Sequence, residues 1–329
     1  MEPSGSGRRT GRRRARRPRR RPLLAAALAV VAVGGVTAGG TVYVHTRAHH
    51  PGGGGAVSSA AAPSASSPAA AGEEASVEPV TRSSPPAAHR DALLAEAMAR
   101  VTVPSGARIS VAVLDLDSGD RAVHGDDAFD TASIVKVDIL AALLLQAQDA
   151  GRHLTAAERA YATKMIENSD NASATALWHA IGRADGLDAA NRRFGLTSTS
   201  GGDGELWGLT QTTAADQLVL LRQVFGEGSL LGAASRSYVR GLMEGVEADQ
   251  RWGVPAAATG STCACALKNG WLPRSTTGLW DVNSIGRVTV DGTDYLVAVL
   301  SEGTADLARG IALVEAAARA AVAGFASAS

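Results

Sequence analysis

Residues 131–151 read TASIVKVDILAALLLQAQDAG, and the stretch carries both a structural and a chemical signal. Ile134, Leu140, Leu143 and Leu144 fall on one side of a 3.6-residue period, and Gly151 supplies a stop, so a helix is expected from Ser133 to Gly151. On such a helix Ser133 and Lys136, three residues apart, share a face within hydrogen-bonding reach. A hydroxyl beside an amine that can lose its proton is an activated nucleophile. Ser133 would also sit in the first turn, where free N–H groups and the macrodipole favour developing negative charge.

The choice of lysine is informative. Of 32 cationic residues only three are Lys, at positions 136, 164 and 268; the rest are Arg. A chain that uses Arg nearly everywhere should keep Lys where Arg cannot serve, and Arg does not deprotonate whereas a desolvated Lys does. Lys164 reads as a solvated helix position. Alone, Ser-x-x-Lys is expected about once by chance in a chain of this length, and Ser133 could be a helix cap beside a surface Lys. Ser169-Asp170-Asn171 is rarer, although it could simply cap a helix starting near Ala172. Lys268-Asn269-Gly270 could be no more than a strand end and turn. Independent coincidences multiply, so the three motifs in this order weigh far more than each alone.

Outward from the motifs, Ala92–Arg100 reads as a helix and Ile109–Asp115 alternates as a strand. Asp117-Ser118-Gly119 turns it into a second strand near Arg121–His124. Helices are expected around Thr155–Ile166, Ala172–Ile181 and Ala214–Phe225. Strands are expected at Ala264–Leu272, Trp280–Val290 and Tyr295–Ser301, and a closing Ala-rich helix at Ala305–Phe325. Strands at both ends around a helical middle predict an α+β fold. One antiparallel sheet, built from the N- and C-terminal parts, packs against helices, with a second, all-helical lobe.

Ahead of this domain, assigned to residues 90–329, the chain changes character twice. The formal net charge of zero conceals ten Arg and one Glu within the first 21 residues, so 1–22 is read as a basic cytoplasmic segment. Leu23–Val44 is uncharged and apolar, about 22 residues, enough to span a bilayer. The preceding Arg cluster orients such a span with the remainder outside. An uncleaved membrane anchor is favoured over a cleaved signal and secretion. The basic block beside an apolar span needs no nucleic acid to explain it. Residues 45–89, rich in Gly, Ala, Ser and Pro, are read as a disordered tether with a reach of roughly 35 Å. Cys263 and Cys265, the only cysteines, are read as small packed residues, because bridging two strand positions so close in sequence needs a local bend; a strained disulfide is the alternative.

With these residues quoted, the chain resembles the serine β-lactamase and penicillin-binding protein superfamily, and most closely the class A β-lactamase-like serine hydrolases. These carry Ser-x-x-Lys, Ser-Asp-Asn and Lys-x-Gly in this order. The resemblance covers about Asp91–Phe325 and implies roles residue by residue. Ser133 would attack the carbonyl of a β-lactam or of a peptide ending in D-alanine, with Lys136 taking its proton. The N–H groups of Ser133 and Trp271 would form an oxyanion hole. Ser169 would relay a proton to the leaving nitrogen, Asn171 would hold the substrate amide and Lys136, and Lys268 would attract the substrate carboxylate. Asn269, Gly270 and Trp271 would line the substrate. No cofactor or metal is implied, and the expected form is a monomer.

Two departures stand out. Asn269 occupies the position where the family places a Thr or Ser hydroxyl that contacts the substrate carboxylate. The Glu-x-x-Leu-Asn pattern that supplies the deacylation base is missing; Leu196–Thr213 offers only Asp203 or Glu205 as candidate bases, and neither fits the pattern. A β-lactamase-type hydrolase is the leading expectation. The alternatives are a D,D-peptidase or penicillin-binding protein acting on peptidoglycan peptides, and a catalytically silent wall-binding relative.

Overall fold

The computed structural model describes residues 86–259 and 265–326. Residues 1–22, the apolar run 23–44, and the tether up to residue 85 lie outside the described residues. Among the described residues no helix is long and apolar enough to cross a membrane.

The elements in chain order are α1 (Pro86–Met98), β1 (Arg108–Asp115), β2 (Arg121–His124), β3 (Phe129–Asp130) and α2 (Val135–Asp149), followed by α3 (Ala156–Glu167), α4 (Asn171–Ile181), α5 (Arg183–Phe194), β4 (Gln211–Thr212), α6 (Ala214–Phe225) and α7 (Ala233–Glu244). The chain closes with β5 (Ala266–Pro273), β6 (Trp280–Val290), β7 (Thr293–Thr304) and α8 (Leu307–Ala326). The expected tether ends early, because residues 86–89 already belong to α1. Proline fits a first helical turn, where its missing N–H needs no partner.

Five strands form one antiparallel sheet in the order β2-β1-β7-β6-β5, and β3 pairs with β4 in a separate two-stranded ribbon. The α+β architecture expected from the sequence is therefore present. The sheet is buried on both faces. Val111 and Val113 join Val297, Val299 and α8 in one cluster, whereas Ala112 and Leu114 join Leu296, Ala298 and α2 in the other. Successive strand side chains point to opposite faces, so the two cores share one backbone. The larger core belongs to the helical lobe, with α2 at its centre: Val135 and Val137 through Leu143 are almost wholly inaccessible.

Local chemistry sets the helix starts. Thr155 and Glu158 form a reciprocal capping box at α3, and the Thr213 side chain accepts from Asp216 N at α6. The expected start of the long helix at Ser133 is corrected. Residues 132–134 form a 3-10 turn, and α2 begins at Val135. Ala132 has φ 48°, a left-handed conformation that breaks the helical path just before the serine.

Candidate active site

Ser133 stands half-buried in the turn between β3 and α2. The turn is held from three sides. Asn283 of β6 donates its amide to the carbonyls of Asp130 (2.9 Å) and Thr131 (3.1 Å), while its own Oδ1 accepts from Ser301 N. Thr131 N donates to Thr210 O at 2.9 Å. Gly270 of β5 closes the third side: a Cβ there would lie 2.7 Å from both Ser133 N and Thr131 O. Only glycine lets the edge strand approach the turn this closely.

Lys136 sits on the first turn of α2 with no exposed surface. Its Nζ lies 3.0 Å from Ser133 Oγ, 2.7 Å from Ser169 O, 3.1 Å from Ser169 Oγ and 2.8 Å from Asn171 Oδ1. Ser169 achieves its double contact by adopting φ 56°, which turns both its carbonyl and its hydroxyl inward. Asp170, next in the chain, caps α4 by accepting from Ser173 N at 2.7 Å. The helix-capping and site-building readings of Ser-Asp-Asn are thus both realised, by different residues of the motif. Lys268 of β5, equally buried, donates to Ser169 Oγ (3.0 Å) and to Asn269 O (2.9 Å). The hydroxyl of Ser169 therefore lies between two amines.

Burial decides the charge of these amines. Desolvation, helped by the nearby Lys268 and opposed by Asp170, brings the Lys136 ammonium down to about 6. Burial likewise lowers Lys268 to about 7. A neutral amine has two N–H donors and one lone pair. Ser169 O and Asn171 Oδ1, which can only accept, account for the two donors, and the lone pair is left for the Ser133 hydroxyl. The Trp207 ring covers the same amine, its centroid 5.0 Å from Nζ, and is fixed by an indole N–H bond to Thr175 Oγ1.

The structure brings Ser133, Lys136, Ser169, Asn171, Lys268 and Gly270 together, and departs from the sequence expectation at several other positions. Asn269 does not face a substrate. It is fully buried, and its amide donates to the carbonyls of Gln250 (2.7 Å) and Trp252 (3.0 Å). Alternation along β5 puts it on the face opposite Lys268. The partly buried Trp271 ring packs 5.9 Å from Trp252. Glu205 is engaged by His179 (2.6 Å), near the end of α4, and by Arg183 (2.9 Å), at the start of α5, and the hydrogen bond to His179 together with the Arg183 guanidinium holds its carboxyl below the usual range. Asp203 is exposed. Trp207 stands beside Lys136. Cys265 is buried, as expected, and disulfide-bonded, which is the alternative that the sequence left open. The other cysteine, Cys263, lies outside the described residues. Asn283, which holds the serine turn, is a residue the sequence reading missed: a lone Asn within a strand carries no local signal.

Comparison with known proteins agrees with this fold. Among solved structures, PBP-A superposes with a TM-score of 0.61 at 21% identity, covering 72% of this chain and 96% of that one. A β-lactamase from Xanthomonas campestris pv. campestris gives 0.57 at 23%, covering 70% and 96%. A variant of the reconstructed class A β-lactamase of the last common ancestor of Gram-negative bacteria gives 0.58 at 25%, covering 73% and 99%. Among curated proteins, the lipoprotein LppW of Mycobacterium tuberculosis and of Mycobacterium bovis is 28% identical over 174 residues. That match spans 51% of this chain and only 55% of theirs, so the chain spans about half the length of these relatives. The model of the beta-lactamase enzyme family matches residues 93–158 and 145–325, which takes in every element from within α1 to α8. By sequence and by fold alike, the chain belongs to the beta-lactamase enzyme family.

Proposed function

We propose that the domain is a serine acyl-transfer enzyme in which β-lactam amides acylate Ser133, and in which release of the acyl group is slow. The observation that carries the reading is the Lys136 amine. Its burial favours the neutral form, its two donors are occupied by acceptor-only atoms, and its lone pair is left 3.0 Å from Ser133 Oγ. In the proposed reaction Oγ attacks the carbonyl carbon as its proton passes to Lys136. The N–H groups of Ser133 and Trp271 receive the oxyanion, and the Ser169 hydroxyl returns a proton to the departing nitrogen. Slow release is supported by Trp207 standing over Lys136 and by the engagement of Glu205 with His179 and Arg183, which leave no evident base for water. This tilts the reading from a rapid β-lactamase toward a penicillin-binding protein or D,D-peptidase. A variant of PBP-A, related in fold, has been captured as an acyl-enzyme complex with penicillin-G.

The N-terminal segments extend the proposal: the basic stretch 1–22 inside, the apolar run 23–44 in the membrane, and the tether carrying the domain outside. The naming of a relative as a lipoprotein supports a membrane-associated placement. Intact-protein mass spectrometry after penicillin treatment tests the chemistry. The expected result is a single adduct that persists and that Ser133→Ala abolishes; the absence of any adduct on the wild-type protein would sink the proposal. Rapid nitrocefin turnover would restore the hydrolase reading, and release of D-alanine from a pentapeptide would identify a peptidase.

A further inference from the structure

The turn that carries the nucleophile contains a backbone conformation its residue does not favour. Ala132, immediately before Ser133, is buried and has φ 48°. For an L-residue with a Cβ this left-handed region is unfavourable, and it persists where the surroundings over-determine it. On the downstream side α2 supplies the constraint, because its first residue, Val135, follows Ser133 by two positions. On the upstream side the constraint comes from distant parts of the chain.

Thr131 N donates to Thr210 O, and the Asn283 amide, itself without exposed surface, donates to Asp130 O at 2.9 Å and Thr131 O at 3.1 Å. The Thr131 carbonyl and Ala132 N share one planar peptide unit, so holding that oxygen fixes the plane from which Ala132 turns. Ile134 N also reaches Thr131 O, at 3.3 Å, but it belongs to the same turn and moves with it. Asn283 is oriented in its own right. Ser301 N donates to its Oδ1 at 3.0 Å, which leaves the two N–H donors of Nδ2 facing two carbonyls. In the register of β5 and β6 its partner is Gly270, and a Cβ there would lie 2.7 Å from Thr131 O, one of the two oxygens the amide holds.

We infer that Asn283 is a positioning residue: by holding the Asp130 and Thr131 carbonyls it keeps Ala132 left-handed and thereby aims the Ser133 N–H and Oγ at the acyl donor. The aiming rests on the acyl-transfer reading; the hold on Ala132 does not. Without the amide, the Thr131–Ala132 peptide unit can rotate and Ala132 can return to negative φ. Ser133 N lies on the far side of Ala132 and swings with that change, whereas Lys136 stays with α2. The two groups that have to meet the carbonyl carbon and its oxygen together then lose their alignment.

The test places Asn283→Ala in the full chain and follows acylation by penicillin G through intact mass. Val282→Ala is the control: its side chain lies in the core on the opposite face of the sheet, so it weakens the same strand without touching the turn. In Asn283→Ala the limiting rate at saturating penicillin should fall about a hundredfold, with the half-saturating concentration little changed. The control should stay within about threefold of wild type. These rate constants are independent of the fraction of protein that folds, which the amplitude of labelling reports. Adding Ala132→Gly to Asn283→Ala should recover about tenfold, because glycine adopts the left-handed conformation without the Cβ penalty. A comparable loss in both single variants, a loss confined to the half-saturating concentration, or no recovery with glycine would each overturn the inference. If wild-type protein is not labelled at all, the acyl-transfer reading has failed, and a crystal structure of Asn283→Ala decides the hold on Ala132. Negative φ at that residue is expected; φ still near 48° would overturn it.

Discussion

At the scale of single residues, two groups have ionisations that burial inverts. Lys136 must be neutral to accept a proton, and burial places its midpoint near 6. The acylation rate should therefore rise with pH through about 6 and then level. A profile by stopped-flow labelling with fluorescent penicillin, flat from about pH 5 to 8, would contradict that assignment. Lys136→Arg keeps a cation but no lone pair, so a loss of about 10²–10⁴-fold is expected. The second group is Asp138, two positions further along α2. It is 1% exposed, burial raises its carboxyl to about 7, and it accepts from Asn191 Nδ2 at 3.0 Å. Asp138 Oδ1 and Asn191 Oδ1 both lack a partner; a proton on the acid would supply a donor. The folded midpoint exceeds the usual carboxylate value, so this group's favourable contribution is complete at acid pH. It is lost as pH rises from about 4 through about 7. Asp138→Asn should stabilise the fold by about 1–3 kcal/mol at about pH 8 and by less near pH 4. Thermal melting at the two pH values checks this; a variant less stable at the higher pH would refute it.

At the scale of elements, the site depends on how closely β5 approaches the serine turn. Gly270→Ala puts a Cβ 2.7 Å from backbone atoms on the other side, and no flexible side chain is available to yield. Acylation should fall by about a hundredfold or more through displacement of the turn, with stability reduced by about 1–3 kcal/mol. Labelling and melting measured on one sample separate the two effects; full labelling would show that the turn does not need this clearance. Elements with strong local signals were legible in the sequence. The strand over Trp280–Val290 and the helix over Ala214–Phe225 have the expected ends. Two helices were not. In α5 the buried positions Leu187, Ala190, Asn191 and Phe194 do keep a helical period, but Gly186 and Asn191 lower its apparent helicity and three arginines its apolarity. Gly186 is there because a Cβ would meet Ile181 O at 1.7 Å, a constraint of the α4–α5 corner that propensity does not record. In α7 only Val239, Leu242 and Met243 are buried, too short a stripe to be distinctive. The site was legible where spacing along one element sets the contact, as for Ser133 and Lys136. It was not where a distant strand supplies the contact, as for Asn283, or where a loop chooses its partners, as for Glu205.

At the scale of the whole molecule, the arrangement of strands matters most. β1 lies between β2 and β7 and is in register with β7 from Arg108↔Glu302 to Asp115↔Tyr295, across about 190 residues of chain. A chain ending at Val290 would leave β1 without that neighbour and β6 without one of its two. It should show no cooperative melting transition and no labelling of Ser133, and a sharp transition in that fragment would show that the helical lobe folds alone. The same pairing governs timing. Closing so long a loop is slow, and β7, the central strand of the sheet, follows β1 by about 190 residues. A ribosome therefore has to add those residues before the native sheet can assemble. Until then the chain remains threadable, the state that passage through a narrow export channel requires.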